Sequence, residues 1–555
     1  MRAPEVPTYK NYVKWYNYTK MKNFVKIYSI AFFILLFLIG LLSYQDYGVT
    51  GDEPIHRWIG SIYYNYIKDL ILNFNLNNEH FIEINRLIND EYLNIWVAYP
   101  IFFELLTEFL IDIFNIESAK VVFELRHLVN FLIFYISLIF FYKLIQEQFR
   151  NYFLSFLGIL FMFFSPRIFA ESFYNHKDIL FMSLSIINIF FTLKFLNSQN
   201  NKNLILYSIS AGILINTRPI MGFIFPLLTF CFILFEVVDD NKILFHKIKK
   251  ILLSIILIFL VVLLFWPYLW FDTINHLSYY LGYVKNLELV LATNTYFGET
   301  ILSHNTPWHF SLVWIAITIP TCVLIFSICG FLTILFRFSK RILSLEKLNK
   351  LWFSKNERYD YIIFLLLSFP LMASLFYKNN FAGWRHYYYI YPLLVYHFLY
   401  FLNEIKIKNS TIYKSLLLLS ILNVLINLQW MVKFHPHQYT YFNFISKHFI
   451  KKNFNLDNKG ESLKHSLKYI LEKDKRDSIK VSDFGEISIK GASLILKKNS
   501  QNRLKFVNLD DADYIIDVFR PKAGKKILID QDKFSKYYDL VIDKKVVNSI
   551  YKKNK

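Results

Sequence analysis

Cysteine is scarce in this chain of 555 residues, and the few cysteines present argue against a disulfide-built fold. Cys231, Cys322 and Cys329 all lie inside apolar segments, so we expect neither a disulfide framework nor a thiol-ligand metal site. The sequence also lacks a Walker loop, a G-x-G-x-x-G turn before a helix and a G-x-S-x-G elbow. A mechanism driven by a cytosolic nucleotide is therefore unsupported, and no nucleotide cofactor is expected.

Long apolar runs are what the sequence does have. Hydrophobic residues make up 55% of the chain and aromatic residues 19%, which is too apolar for a soluble protein of this length. The first run is too long for a cleavable signal peptide, and no small-residue cleavage site follows it. We expect a mainly α polytopic membrane bundle of about eleven transmembrane helices. They are expected near 25–44, 121–143, 152–166, 179–196, 204–217, 220–236, 250–271, 308–336, 359–377, 387–402 and 412–432.

The net charge of +20 does not indicate nucleic-acid binding, because the lysines collect in short loops between apolar runs and in the C-terminal tail. That distribution follows the positive-inside rule of membrane proteins. It places residues 1–24 and the basic loop 337–358 in the cytoplasm. The segment 45–120 carries twelve acids against four Lys or Arg, as an outer loop can. The expected location is the inner (plasma) membrane, which the chain crosses several times.

Residues 96–114 allow two topologies. They are apolar enough to cross the membrane, but three acids spaced by four share one helical face: Glu104, Glu108 and Asp112. Each acid would cost roughly 2.5–3.5 kcal/mol at mid-membrane, a cost that an interfacial helix avoids. If 96–114 is interfacial and Arg218-Pro219 divides 204–236 into two helices, every basic loop falls inside. If it crosses, 204–236 is one broken helix and Asp178 lies inside.

The composition changes after residue 432. Residues 445–555 are rich in Lys, Asp and Asn, with alternating stretches "KVSDFG", "RLKFVN" and "YIIDVF" that predict strands and "ESLKHSLKYILEK" that predicts a helix. We therefore expect a small α/β domain outside the membrane at 445–555. The transmembrane module spans 25–444 and includes the outer loop 45–120 with its interfacial helices.

The stretch "GDEPIHRW" directly follows the first apolar run. Thr50 and Glu53 have the spacing of a capping box and Pro54 suits a first helical turn, which gives a purely structural explanation. A carboxylate such as Asp52 at the boundary of water and lipid can also act as a general base or a metal ligand. His56, four residues later, would lie on the same helical face. The two explanations can both hold.

Further polar clusters stand at other helix ends. In "SPRIFAESFYNHKDILF", Asp178 begins an apolar helix. The structural alternative to a functional role is that Asp178 caps the N-terminus of this helix. In "NTRPIM", Arg218 either holds a phosphate or reaches out to water. In "AGWRHYYYIYP", Arg385 and His386 lie among aromatic residues typical of a membrane interface. "SHNTPWHF" adds His304 at another helix start.

Taken in order, these stretches resemble the family-39 glycosyltransferases, the protein O-mannosyltransferase-like members of the GT-C superfold. The order runs from "GDEP" through the arginine-led helix "ELRHLVNFLIFYISLIF" to "INTRPIMGF", "NTPWHF" and "GWRHYYYIYP". The resemblance implies a GT-C-like helical bundle that takes a sugar from a polyprenyl-phosphate donor. The acceptor would be a glycan, a lipid or a protein outside the cytoplasm, and the attack would invert the anomeric configuration.

Motif positions carry the roles of family residues onto this chain. By this resemblance, Asp52 would be the catalytic base, with Glu53 beside it and Asp178 as a second acid. The basic positions that would hold the lipid phosphate are Arg126, Arg218, Arg385 and His386, and His56 and His304 are further candidates. The metal stays undetermined, because these acids and histidines could hold a divalent ion or none.

The chain departs from the family pattern in two places. "AYPIFFELL" stands where the O-mannosyltransferase branch has a "HPPLGK"-like stretch, which argues against protein mannosylation in particular. "LDNKGES", residues 456–462, keeps only the Asp, Gly and Ser of a "DYWG-x-S" pattern that ends some relatives. The alternative function is a polyprenyl-lipid flippase or transporter, which predicts ionisable residues in the middle of helices and often an internal repeat.

Overall fold

A computed structural model describes residues 9–75, 78–90, 92–235, 241–285, 292–345, 351–377, 380–444, 454–483, 488–519 and 529–554. The predictions for residues 1–8, for 346–350 of the basic loop and for 445–453 fall outside these described residues. The side chains of 9–25, 241–244 and 285 are likewise outside the description.

Helices make up most of the described chain as far as residue 433. Those before residue 236 are α1 (Tyr9–Ser43), α2 (Glu53–Asn73), α3 (Glu79–Ile88), α4 (Asn94–Ala98), α5 (Phe102–Ile113), α6 (Ala119–Phe149), α7 (Tyr152–Phe163), α8 (Pro166–Tyr174), α9 (Asp178–Asn197), α10 (Asn201–Ile215) and α11 (Pro219–Phe235). The next are α12 (Asn241–Leu264), α13 (Tyr268–Phe271), α14 (Thr273–Lys285), α15 (Phe310–Thr318), α16 (Thr321–Leu343), α17 (Lys355–Phe376), α18 (Tyr391–Lys408) and α19 (Ser410–Lys433). A hairpin of β1 (Thr293–Tyr296) and β2 (Glu299–Leu302) lies between α14 and α15.

The mainly α membrane fold is confirmed. Within the described residues, six helices are long and apolar enough to cross a membrane: Lys26–Ser43, Ala119–Phe149, Asp178–Asn197, Thr321–Leu343, Lys355–Phe376 and Ser410–Lys433. A seventh is added if α7 and α8, which meet at a bend of 65°, count as one broken span. The number of crossings, expected to be about eleven, therefore stays a prediction.

Two of the predicted helices, 250–271 and 308–336, are divided in the structure; in the first of them α12 ends at Leu264 and α13 begins at Tyr268. The break at Arg218-Pro219 is confirmed, since α10 ends at Ile215 and α11 begins at Pro219. The single helix predicted over 308–336 is wrong, because α15 ends at Thr318 and α16 begins at Thr321. Pro320 explains this break: proline has no backbone N–H to donate, and it disfavours helical backbone in the residue before it.

Residues 96–114 form two short helices rather than one long one. The longer, α5, has 12 residues, a length of about 18 Å, whereas the hydrocarbon core is about 30 Å thick. Its acidic face packs against α2: Glu108 pairs with Arg57 at 3.3 Å and Asp112 with Lys68 at 2.8 Å. This geometry favours the interfacial topology, because the acids find cationic partners on a neighbouring helix.

The C-terminal α/β region is also confirmed. Helix α20 (Leu463–Lys473) and two short helices, α21 (Ile489–Ser493) and α22 (Lys498–Arg503), pack with a five-stranded sheet of order β4-β3-β5-β7-β6. Its strands are β3 (Ile479–Asp483), β4 (Leu504–Phe506), β5 (Tyr514–Asp517), β6 (Phe534–Ile542) and β7 (Lys545–Lys553). The three strands predicted from alternating stretches are β3, β4 and β5, which pair in parallel; the antiparallel hairpin of β6 and β7 was not predicted.

Gly330 sets the closest approach between α16 and α18. A Cβ atom on Gly330 would lie 2.0 Å from the carbonyl oxygen of His397, an atom that cannot move without its helix. We expect Gly330→Ala to lower the free energy of unfolding by about 1–3 kcal/mol, because the helices must separate. Thermal unfolding of the protein in detergent measures this. Gly282→Ala, where no atom of the described residues lies within 4 Å of the new Cβ, is the matched control; equal stability of the two variants would contradict the close packing.

Candidate active site

A cavity of about 440 Å³ lies where the transmembrane helices meet the C-terminal α/β domain. Its walls come from the start of α2, the segment between α8 and α9, the turn between α10 and α11, the residues before α18 and the C-terminal domain. Six of the predicted site residues line it: Asp52, His56, Asp178, Arg218, Arg385 and His386. We call this space the catalytic cavity.

The two acids of the "GDEP" stretch lie in different surroundings. Helix α2 begins at Glu53, whose carboxylate accepts hydrogen bonds from the backbone N–H of Thr50 at 2.7 Å and from the Thr50 hydroxyl at 3.1 Å. The other Glu53 oxygen lies 3.2 Å from Nε2 of His127. Glu53 is thus buried and fixes the helix start, whereas Asp52, with 45% of its side chain exposed, borders the cavity.

Two arginines hold the two aspartates of the cavity. Nη1 of Arg385 donates to Oδ2 of Asp52 at 3.2 Å, and its Nε lies 4.0 Å from Oδ2 of Asp178. Arg218 donates to the other oxygen of Asp178. The side chain of Asp52 is therefore half exposed and has Arg385 as its ionic partner, whereas Asp178 is buried and has both arginines as ionic partners.

Neighbouring charges keep Asp52 ionised. Burial alone would raise the pKa of Asp52, but the positive charges of Arg385 and Lys459 and the hydrogen bond from Arg385 outweigh it and hold that pKa well below its usual range. For His386, burial and the positive charges of Arg218, Arg385 and Lys459 lower the pKa of the imidazole, which is therefore neutral at pH 7. The cavity thus presents a carboxylate that can accept a proton and a neutral imidazole that can donate a hydrogen bond.

Three predicted site residues do not line the cavity. Glu53 and Arg126 are each 1% exposed and lie in the packing of α2, α5 and α6; Arg126 donates to the Thr107 hydroxyl at 2.8 Å and stacks on Phe103. His304 lies in the short 3-10 helix Ser303–Asn305. Their assigned roles in catalysis and phosphate binding stay predictions.

The cavity also contains a lysine that sequence reasoning did not select. Lys459, from the "LDNKGES" loop of the C-terminal region, places its Nζ 2.9 Å from Oε2 of Glu171 on α8. The same Glu171 oxygen accepts from Asn175, which also donates to Asp178 at 3.0 Å. A buried chain of polar contacts therefore joins the C-terminal domain to the aspartate at the start of α9.

The loop that carries Lys459 is held rigidly. Asp457 accepts hydrogen bonds from the backbone N–H groups of Lys459, Gly460, Glu461 and Ser462 at 2.7–3.2 Å. Gly460 has a φ of +81°, a conformation that glycine adopts without a steric penalty. The carbonyl of Lys459 in turn accepts from the N–H of Gly51, at 3.1 Å, next to the catalytic-base candidate.

A second group of side chains meets beside the cavity: His56 from α2, Glu104 from α5 and His176 from the segment before α9. Their potential ligand atoms all lie within 4.8 Å of one another. Burial lowers the pKa of both imidazoles. Burial alone would raise the pKa of Glu104, but Lys177 and His176 outweigh it and hold the pKa well below its usual range. We call this set the His56–Glu104–His176 cluster.

The charge balance of the cavity favours an anionic ligand. Four cationic side chains line it, Lys177, Arg218, Arg385 and Lys459, against the two carboxylates Asp52 and Asp178. Guanidinium groups are suited to binding phosphate oxygens by paired hydrogen bonds. The cavity can therefore hold a phosphate group next to an ionised carboxylate.

The middle of the transmembrane module matches a known family. Residues 99–266 fit the family model described as dolichyl-phosphate-mannose-protein mannosyltransferase. Over this segment the chain is similar to the proteins that the model describes. The matched range contains Asp178 and Arg218 but neither Asp52 nor Arg385. A search of curated proteins gives no significant match.

Several solved structures are similar to this chain at low identity and with TM-scores below 0.5. ArnT from Cupriavidus metallidurans bound to undecaprenyl phosphate is 9% identical with a TM-score of 0.43, over 95% of this chain and 97% of that one. The Archaeoglobus fulgidus oligosaccharyltransferase AglB, with an inhibitory peptide and a dolichol-phosphate, is 12% identical with a TM-score of 0.46, over 89% and 69%. The apo form of an oligosaccharyltransferase from the same organism is 14% identical with a TM-score of 0.42, over 75% of this chain, which spans 57% of that one.

Proposed function

We propose that the protein is an integral-membrane glycosyltransferase that moves a sugar from a polyprenyl-phosphate donor to an acceptor outside the cytoplasm. The observation that carries the proposal is the catalytic cavity, where the half-open carboxylate of Asp52 lies beside a cluster of cations at one end of the bundle. The match to the mannosyltransferase family model over residues 99–266 supports the same reaction class.

The chemistry of transfer suits these side chains. An acceptor hydroxyl has a high pKa and needs a base in the transition state, which the ionised Asp52 supplies. The leaving lipid phosphate gains negative charge as the glycosidic bond breaks, and Arg218, Arg385 and the neutral His386 stabilise it by charge and hydrogen bonding. Asp178 is engaged by both arginines, so it acts as a positioning carboxylate. A single attack then inverts the anomeric carbon.

The proposed orientation puts the cavity and the C-terminal domain outside. The basic residues Arg337, Lys340 and Arg341 lie in the last turns of α16, near the start of α17 and the end of α18 and far along the bundle from the cavity. Basic loops stay in the cytoplasm by the positive-inside rule. A multi-pass protein with a cytoplasmic N-terminus follows from this arrangement.

The deciding experiment measures sugar release from polyprenyl-phosphate-hexose by the purified protein in detergent. A panel of donors is offered with and without a glycan, lipid or peptide acceptor, and released polyprenyl phosphate is quantified. Acceptor-dependent release establishes the transferase. If every donor is bound but none is turned over, and the lipid crosses a vesicle bilayer instead, the flippase alternative replaces the proposal.

The pH dependence tests the pairing of Asp52 with Arg385. Because the arginine lowers the pKa of Asp52, the acid limb of kcat/KM is expected well below neutral pH in the wild type. Arg385→Gln removes that positive charge, so the pKa of Asp52 rises and the acid limb shifts to higher pH. Arg385→Lys keeps the charge and is the control, whose limb should stay near the wild-type position whatever the loss in rate. If the acid limbs of Arg385→Gln and Arg385→Lys lie at the same pH, Asp52 is not the base that titrates.

A further inference from the structure

The His56–Glu104–His176 cluster brings together three metal-ligating side chains that the transfer mechanism does not use. They come from three separate elements, α2, α5 and the segment before α9, and none is more than 7% exposed. Residues from distant parts of the sequence meet in this way only through the tertiary fold. A buried group of two imidazoles and one carboxylate therefore needs an explanation of its own.

The polar atoms of the cluster are poorly satisfied. Neither carboxylate oxygen of Glu104 has a hydrogen-bond partner among the described residues, and neither does Nε2 of His176, although both side chains are buried. His176 Nε2 and Lys177 Nζ approach Glu104 Oε1 at 3.3 and 3.4 Å as ionic neighbours. Buried carboxylates without aligned donors are costly, because burial removes the water that would otherwise solvate them.

We propose that His56, Glu104 and His176 bind a divalent transition-metal ion of the Zn²⁺ type. Two histidines and one glutamate are a common protein ligand set of zinc sites that keep one position open. Zinc–ligand bonds of about 2.0–2.2 Å require the ligand atoms to draw together from their present separation, which side-chain rotations can supply. His56 and His176 both line the catalytic cavity, so the open position faces it.

Packing around the cluster holds the ligands in place. The ring of Phe103 stacks on His176 with centroids 5.2 Å apart, and Trp96 meets His56 edge-on at 5.1 Å. Glu104 presses against Gly60 of α2, where an added Cβ would lie 2.4 Å from the Glu104 Cβ. A metal site needs such support, because its affinity depends on how firmly the surrounding residues orient the ligands.

Lys177 competes with the metal for the same carboxylate. Its ammonium lies 3.4 Å from Glu104 Oε1, so it neutralises the charge that a cation would otherwise balance. Removing this lysine should leave Glu104 free for the metal. The proposal therefore predicts that Lys177→Met binds the ion more tightly than the wild type, by about tenfold or more.

The test measures metal binding directly, without a sugar donor, so it stands apart from the proposed function. The full-length protein in detergent is titrated with Co²⁺ and with Zn²⁺, following the visible bands of cobalt in a four- or five-coordinate site and the bound zinc after dialysis. Glu104→Gln and His176→Ala should each lose binding by at least about tenfold. Glu108→Gln, one turn further along α5 and paired with Arg57 at 3.3 Å instead, should keep it.

Thermal unfolding of each variant separates lost binding from lost folding. If Glu104→Gln does not fold, His56→Ala and Lys177→Met carry the comparison. Wild-type protein that retains no zinc, or a cobalt spectrum that His176→Ala leaves unchanged, would overturn the proposal. So would a Lys177→Met variant that binds the ion more weakly than the wild type, because the lysine would then be supporting the site.

Discussion

Asp52→Asn is expected to lower the rate of sugar transfer by about 10²–10⁴-fold, the usual contribution of a general base. Asparagine keeps the shape of the side chain and can still contact Arg385, but it cannot take the proton of the acceptor hydroxyl. Because 45% of the Asp52 side chain is exposed, the substitution should leave the protein folded in the membrane. Sugar release from polyprenyl-phosphate-hexose measures the loss, and thermal unfolding in detergent checks the fold.

Asp46→Asn is the matched control for Asp52→Asn. Asp46 also follows the first apolar helix, but its carboxylate contacts His435 at 2.8 Å and does not line the catalytic cavity. Its replacement should leave transfer within about a factor of two, as expected for a surface position away from the chemistry. Full activity in Asp52→Asn would remove this residue from the mechanism, whereas equal losses in both variants would point to a general effect of outer-loop charge.

Lys459→Met is expected to lower the free energy of unfolding by about 3–5 kcal/mol, because it leaves the buried carboxylate of Glu171 without its ionic partner. The two groups lie 2.9 Å apart, and each side chain is less than a tenth exposed. Transfer should fall as well, since Lys459 is one of the cations beside Asp52. Chemical unfolding of the purified protein measures the stability, and donor turnover measures the rate.

A double variant separates the structural effect of Lys459 from its effect on the reaction. Lys459→Met combined with Glu171→Gln removes both charges and should recover most of the lost stability. Transfer should nevertheless stay at least about tenfold below the wild type, because the cavity has lost a cation that faces the phosphate. Lys468→Met, at an exposed position on α20, is the control for stability. Recovery of both stability and transfer in the double variant would limit Lys459 to a structural role.

The order of polar clusters along the sequence anticipated much of the cavity. Asp52, Asp178, Arg218, Arg385 and His386 were selected because each stands at the end of an apolar run, and the structure brings all five to one cavity. The reason is that apolar helices lie side by side across the membrane, so residues at helix ends on the same side of the membrane come together.

Other features could not be read from local patterns. A single proline interrupts the helix predicted over 308–336. Whether a proline breaks a helix depends on whether neighbouring groups accept or donate the hydrogen bonds that the backbone loses. Arg126 looked like a phosphate ligand by position, but it lies in the packing of α5 and α6, with the Thr107 hydroxyl as its hydrogen-bond acceptor. Which face of a long apolar helix turns inward is set by its neighbours, and the sequence of α6 has no strong one-sided pattern.

By itself, the sequence determined that the chain is a helical membrane protein with a C-terminal α/β region, because apolar runs and alternating stretches dictate these elements locally. It also determined which helix ends carry ionisable groups. Only the tertiary structure decided that Lys459 enters the catalytic cavity and that His56, Glu104 and His176 meet beside it. Those contacts join residues far apart in the chain, and their partners are fixed by packing and by the neutralisation of buried charge, which no local pattern records.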